Sequence, residues 1–464
     1  MTKRILALLT GAAISLSLAA CGGDAADDGT PSASTSSTQS AKPGAQKWDA
    51  GSSTMTLTNA NLTVGILLTV EEATLVLVGD NTITLNEDDH LGTNAVSSLG
   101  KLNVTGDGSL TIKVTNNEGP AGGFIANDLV IAIDKDSEIK VEATAGGGEA
   151  QGIFASNDLD FQSGRLDVTA STQGADDLAT AALAYKGRLA IGKDASVKAD
   201  LKAPQGFAEA VGSVEGSATI DGTVDASLEG AGPVLGVGTL TGLTVGEDSD
   251  IKVRLVATKA EAYGIANNTG MVELRGTVDM VVESTQNAGG LFYKGDFTAD
   301  GADFKAVVST TRQEQSDPAA VDDPNNSKRP IFGIVTKGKS TIENSTFDLE
   351  VKSAGDVVYG IHAIDPLTIA DSKVTIDVTA GSGPAYGIDA HYAPGSSGAD
   401  TASLTLKSVT GSVTSSKDAI VSWNNIDMTG TAAANGLTVS KQSDHWVFLT
   451  PAGEPATKVE LEVG

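Results

Sequence analysis

The sequence predicts an all-β fold, a right-handed parallel β-helix of about 12–13 coils with three short strands per coil. Three observations carry this. The chain is rich in Gly (54), Thr, Val and Asp with little Leu-Glu-Lys periodicity, which reads as strands and turns. A small apolar anchor beside a Gly recurs every 26–30 residues, the signature of a solenoid. Between anchors lie two further short alternating runs, such as Leu367-Thr368-Ile369 and Val374-Thr375-Ile376-Asp377-Val378, each turning one face inward. Right-handed winding is the usual sense of parallel crossovers.

The clearest anchors are Gly152-Ile153-Phe154-Ala155, Tyr263-Gly264-Ile265-Ala266, Tyr359-Gly360-Ile361-His362 and Tyr386-Gly387-Ile388-Asp389. Weaker copies stand at Phe124, Leu183, Leu235, Leu291 and Ile334. Ile153, Ile265, Ile361 and Ile388 are expected in one inward column. One step is long, from Leu291 to Ile334; its excess is the polar stretch Thr311–Pro330, a loop thrown out from one corner. A longer period relates Asp136, Asp194 and Asp248, with Gly164, Gly222 and Gly276 in the coils between. This implies duplication of a two-coil unit whose alternate coils differ at one corner.

Residues 1–20 read as a lipoprotein signal peptide: Lys3 and Arg4, then an apolar stretch Ile5–Leu18 too short for a membrane span of about 20 residues. Leu18-Ala19-Ala20-Cys21 resembles a bacterial lipobox, in which cleavage precedes a Cys that carries diacylglycerol. The resemblance implies lipidation of Cys21, the only Cys in the chain, and anchorage on the extracellular face of the cell membrane. Two or more acyl chains hold a protein stably where one is marginal. Residues 21–47 form a Ser/Thr/Ala-rich linker without an apolar run. The β-helix is expected over 48–440 and a C-terminal cap over 441–464. Trp48, Trp423 and Trp446 lie near these ends.

A net charge of −28 excludes a nucleic-acid partner, which needs clustered Lys and Arg. One Cys and four His exclude disulfide staples and leave little for zinc. Gly333-Ile334-Val335-Thr336-Lys337-Gly338-Lys339-Ser340 fits the P-loop pattern. A strand-turn-strand follows instead of a helix, so no nucleotide is expected. The acidic pairs Asp88-Asp89, Asp176-Asp177 and Asp322-Asp323 point to opposite faces of a strand and make weak catalytic carboxylates.

The candidate cofactor is calcium, at acidic corners where carboxylates stand two residues apart: Asp134, Asp136 and Glu138, and Glu247, Asp248 and Asp250. The column after the anchor faces outward and includes Phe154, Phe292, His362 and Asp389 as candidate ligand-face residues; its apolar early members suit a covered face or a ligand. Tyr263, Phe332, Tyr359 and Tyr386 stand two residues before the anchor, and parity places them inward or at a corner.

The runs Thr54–Leu62, Ala73–Ile83 and Leu102–Leu110 are similar to bacterial surface β-helix proteins described as carbohydrate-binding domain-containing. That resemblance spans most of Gly51–Ser440 and implies a non-catalytic protein whose ligands are calcium and acidic polysaccharide. Strong negative charge opposes direct polyanion binding unless calcium bridges. The expectation is a lipid-anchored extracellular β-helix that binds a glycan or polysaccharide. A polysaccharide lyase or glycoside hydrolase, and a protein-binding adhesin or spacer, are the alternatives.

Overall fold

The computed structural model describes residues 46–173, 178–213, 215–313, 330–355, 357–390, 402–443 and 445–464. The signal segment with Cys21, residues 314–329 of the insertion, the pairs Asp176-Asp177 and Asp322-Asp323, and His391 lie outside the described residues. The described residues form two compact units, one ending at Gly216 and the other starting at Ser217. Each is a parallel β-solenoid, with no helix among the described residues.

Each coil has three walls. In the second unit one coil places an anchor wall at Ala262–Asn267, a short wall at Met271–Leu274 and a long wall at Thr277–Ser284. The long wall alternates: Val278, Met280 and Val282 are buried while Thr277 is exposed. This is the period-2 pattern of a strand with one dry face. Successive coils stack in register, so identical positions form columns. Ile251, Val278, Phe304, Phe347 and Val374 are paired one above the next. Phe304 stacks on Phe347 at 5.2 Å between ring centroids. In the first unit, Leu110, Ile139, Leu166 and Val197 form the matching column.

The anchors form one column in each unit. Val96, Phe124, Ile153, Leu183 and Val211 are aligned in the first. Val237, Ile265, Leu291, Ile334, Ile361, Ile388 and Ile420 are aligned in the second. Leu235 is not the anchor of its coil: it pairs with Tyr263, and Val237 takes the anchor level. The two-coil repeat also needs correction. Asp136 sits in a turn, but Asp194 lies inside the continuous strand Arg188–Ala203 and aligns through Ser163 with Ala132. The corner of that coil has been straightened, so the two Asp are not structurally equivalent.

Where a Gly precedes the anchor, close approach of the wall requires it. A Cβ on Gly264 would lie 2.3 Å from Met280 Sδ, and one on Gly360 would lie 2.4 Å from Ile376 Cγ2 and 2.4 Å from the Gly387 carbonyl oxygen. Gly360→Ala is expected to destabilise the second unit by about 1–3 kcal/mol. Urea unfolding checks this, and an unchanged midpoint would mean that the wall yields.

Where the long wall turns back to the next anchor wall, a buried polar side chain closes the turn. Thr172 donates to the Gly148 carbonyl at 2.6 Å, Ser284 to that of Ala260 at 2.6 Å and Thr310 to that of Gln286 at 2.7 Å. Asn116, completely buried, does the same with six hydrogen bonds.

Both ends change pairing sense. Gln46–Asp49, carrying Trp48, runs antiparallel to Thr54–Thr58. His445–Leu449, carrying Trp446, runs antiparallel to Asp418–Ser422 and Thr438–Gln442. Lys458–Val463 runs antiparallel to Thr410–Ser415 and Thr431–Ala433.

Candidate functional site

The anchor wall does not obey simple alternation. The would-be Cβ of each Gly before the anchor points at long-wall core residues, so that Gly faces inward. The residue two after the anchor also faces inward: Tyr293 packs on Phe297 at 5.6 Å and its hydroxyl lies 3.3 Å from Ser340 Oγ. The anchor itself, one step from an outward residue on its C-terminal side, is inward too. Two consecutive residues therefore point into the core, as at a bulge. The positions two before and one after the anchor consequently share the outer face.

This overturns the inward placement of Tyr263, Phe332, Tyr359 and Tyr386. Parity fails because Gly and anchor both face in. Tyr263 and Phe332 pack instead with outward Phe292, at 6.4 and 6.1 Å between centroids. Tyr359 packs on outward His362 at 4.6 Å. Phe292, Val335, His362 and Asp389, read from the sequence as one outward column, are aligned in consecutive coils. Its members are nonetheless buried. Phe154 is an outward member of the corresponding column in the first unit and belongs to no cluster with the other three.

The polar end of this face is a buried cluster of polar and aromatic side chains. His362 Nδ1 lies 3.2 Å from Asp389 Oδ2, and their side chains are 3% and 5% exposed. His362 Nε2 and Asp389 Oδ1 are buried and have no hydrogen-bond partner among the described residues. Tyr359 lies against the imidazole and stacks on Tyr386 at 5.4 Å, with planes 15° apart. Burial, then Asp389 and Tyr386, holds the Tyr359 phenol well above its usual range, so it stays protonated. Exposed Lys417 donates to the Tyr386 hydroxyl at 2.9 Å and sits 5.0 Å from that ring's centroid. Its hydrogen bond to Tyr386 raises its pKa. Asp418 pairs in register with Tyr386, and burial raises its carboxyl. Tyr386 is half-buried, so the cluster meets solvent on the Tyr386–Lys417 side.

The first unit carries a buried carboxyl in its own column two residues before the anchor. Glu209, beside Gly212 and aligned with Ala181, is pushed up to about 8 by burial. The alternation of polar and small residues around it gives no sequence signal. A signal for the outward aromatics did exist, because the residue before each anchor is Gly or Ala in every coil from Val96 to Ile420.

The acidic corners are committed locally. Asp134 Oδ1 accepts the Asp136 amide at 3.0 Å, and Arg165 donates to the Asp136 carbonyl at 2.8 Å. Glu138 is aligned with Arg165. Asp250 pairs with Lys252 at 2.6 Å, while Glu247 and Asp248 are exposed in the preceding turn. No group of three His, Cys, Asp or Glu suited to a metal occurs among the described residues. Asp89 caps the Leu91 amide and Asp88 accepts from Asn117. The P-loop-like run folds as strands Ile331–Thr336 and Ser340–Glu343.

Compared with protein-family models, curated proteins and solved structures, the chain matches none.

Proposed function

We propose that the protein is a lipid-anchored extracellular solenoid that binds carbohydrate on the outer face of the second unit's anchor wall. The observation that supports this is the His362–Asp389 couple, whose outer polar atoms are buried and unpartnered beside the Tyr359–Tyr386 stack. Buried polar groups ordinarily find partners, and an exception on a rigid sheet marks a place for a ligand's hydrogen bonds. Sugars present dense hydroxyls that meet that need. Anchorage through Cys21 and the linker at 21–47 would hold the solenoid off the membrane.

A glycan array probed with the full chain tests the reading. Defined glycans are expected to bind, and His362→Ala should remove at least most of that signal. A blank array, or binding indifferent to His362, overturns it. The couple also has the arrangement by which a carboxylate orients a general base. Release of shortened or unsaturated products from a bound glycan would move the reading to a hydrolase or lyase. For the anchor, Cys21→Ser should release the protein from membranes or leave it unprocessed; unchanged partitioning into the detergent phase contradicts lipidation.

Calcium at the corners is a separable proposal. Asp134→Ala should lower stability by about 0.5–2 kcal/mol through loss of the Asp136 amide cap alone, as for other caps of this kind. If calcium binds there, thermal melts with calcium and with chelator should differ for the wild type and converge for the variant. Identical wild-type melts remove calcium.

A further inference from the structure

The outer face of the long wall in the second unit carries a pattern that neither the core nor the anchor wall requires. Each long strand turns four positions outward, alternating with four buried ones. The second outward position runs Asp225, Lys252, Asp279, Lys305, Asp348, paired coil to coil in register. Charge therefore reverses at every step of about 4.8 Å. Opposite charges side by side favour the stack itself. Yet among the described residues no ion pair joins two members of this column, and Lys252 turns to Asp250 in its own strand at 2.6 Å. The third outward position carries Arg254, Val281, Val307 and Glu350 in the coils from Lys252 to Asp348. Half-buried Val281 and Val307 thus form an apolar centre between two charges of opposite sign. Arg254 reaches Glu283 only loosely, at 3.6 Å.

This face is complementary to its own inverse. A two-fold axis along the strands, between Thr277–Ser284 and Asp303–Thr310, lays it on the same face of a second copy with the coil order reversed. Lys252 then meets Asp348 of the second copy, Asp279 meets Lys305, Arg254 meets Glu350 and Val281 meets Val307. In the flanking coils Asp225 meets Thr375 and Ser227 meets Asp377. No like charges are directly opposed. Moving the axis onto Thr277–Ser284 would set Asp279 against Asp279 and Lys252 against Lys305, so the alternation selects one register. Six coils of eight residues offer roughly 600 Å² on each copy, at the lower end of stable interfaces.

We propose that the outer face of the second unit's long wall is the contact surface of a homodimer in this register. The contact is side-on and leaves the anchor wall open, so it goes beyond the carbohydrate reading and does not depend on it.

The test is sedimentation equilibrium of the full-length protein in detergent. The wild type should dimerise with rising concentration. Lys305→Asp and Asp279→Lys should each weaken the dimer by about tenfold, because the two-fold repeats every reversed contact. The double variant Asp279→Lys with Lys305→Asp should restore it to within about threefold of wild type, since each changed residue again faces its opposite. Both positions face solvent, so melting temperatures should stay close to that of the wild type. If a reversal unfolds the chain, Lys305→Gln should still weaken the dimer by about threefold. A monomer at every concentration up to about 1 mM overturns the proposal. So does a dimer indifferent to these changes, or one that the double variant fails to restore.

Discussion

Asn116→Ala should lower the unfolding free energy of the first unit by about 3–5 kcal/mol, through several buried hydrogen bonds lost at once. Its Oδ1 accepts from the amides of Asp89, Glu118 and Gly119 at 3.1–3.2 Å. Its Nδ2 donates to the carbonyls of Asp89 and Pro120 at 2.7 and 2.9 Å and to Thr93 Oγ1 at 3.3 Å. One side chain thus ties the turn at 88–93 to the turn at 117–120 in the next coil. Alanine strands these backbone groups without giving water a route to all of them. Asn116→Asp should also destabilise, because its carboxylate would face two carbonyls. Urea unfolding followed by circular dichroism reads the change. A loss under about 1 kcal/mol would show that water replaces the side chain.

Glu209→Gln should stabilise the first unit by about 3 kcal/mol at pH 7 and about 5 kcal/mol above pH 8, with almost no effect near pH 4. The folded carboxyl titrates at about 8, against an ordinary value of 4.5, because it is buried. Below the ordinary value both states are protonated and nothing is gained. As pH rises, the unfolded chain releases its proton while the folded one keeps it, so wild-type stability falls through the window from 4.5 to about 8 and levels off above it. Glu149, pushed up to about 7 by burial, adds a loss of the same sign that levels off earlier. Chemical denaturation at pH 4.5, 7 and 8.5 checks the slope. A glutamine variant less stable than wild type at pH 8.5 would mean that Glu209 finds a partner as an anion.

The solenoid was legible because an inward position accepts only a narrow class of residues, and stacking forces that class to recur at every coil. Ile265, Leu291, Ile334, Ile361 and Ile388 announce themselves in this way. Period-2 counting failed at Tyr359 and Tyr386 because one inward Gly carries no side chain and so leaves no hydrophobic trace of the phase slip. Val237 was hidden behind Leu235 for the same reason, since either fits a dry column. His362 and Asp389 were legible as outward neighbours 27 residues apart. That their outer atoms lack partners depends on what surrounds them in three dimensions. Asn116 and Glu209 were illegible: each is a polar residue in a polar setting, and the reading of such residues as solvated is normally sound.

The reversal of strand sense at both ends bears on how the protein avoids self-association. A parallel stack ends in a row of open amides and carbonyls that matches the next coil, so two bare stacks could extend one another into a filament. Here Thr54–Thr58 in the first coil, and Thr410–Ser415 and Asp418–Ser422 in the last, meet antiparallel partners, and Lys458–Val463 carries Lys458, Glu460 and Glu462. Over these strands the hydrogen-bond spacing presented outward no longer matches a parallel coil. Coil-on-coil extension of one copy by another is therefore disfavoured at these strands.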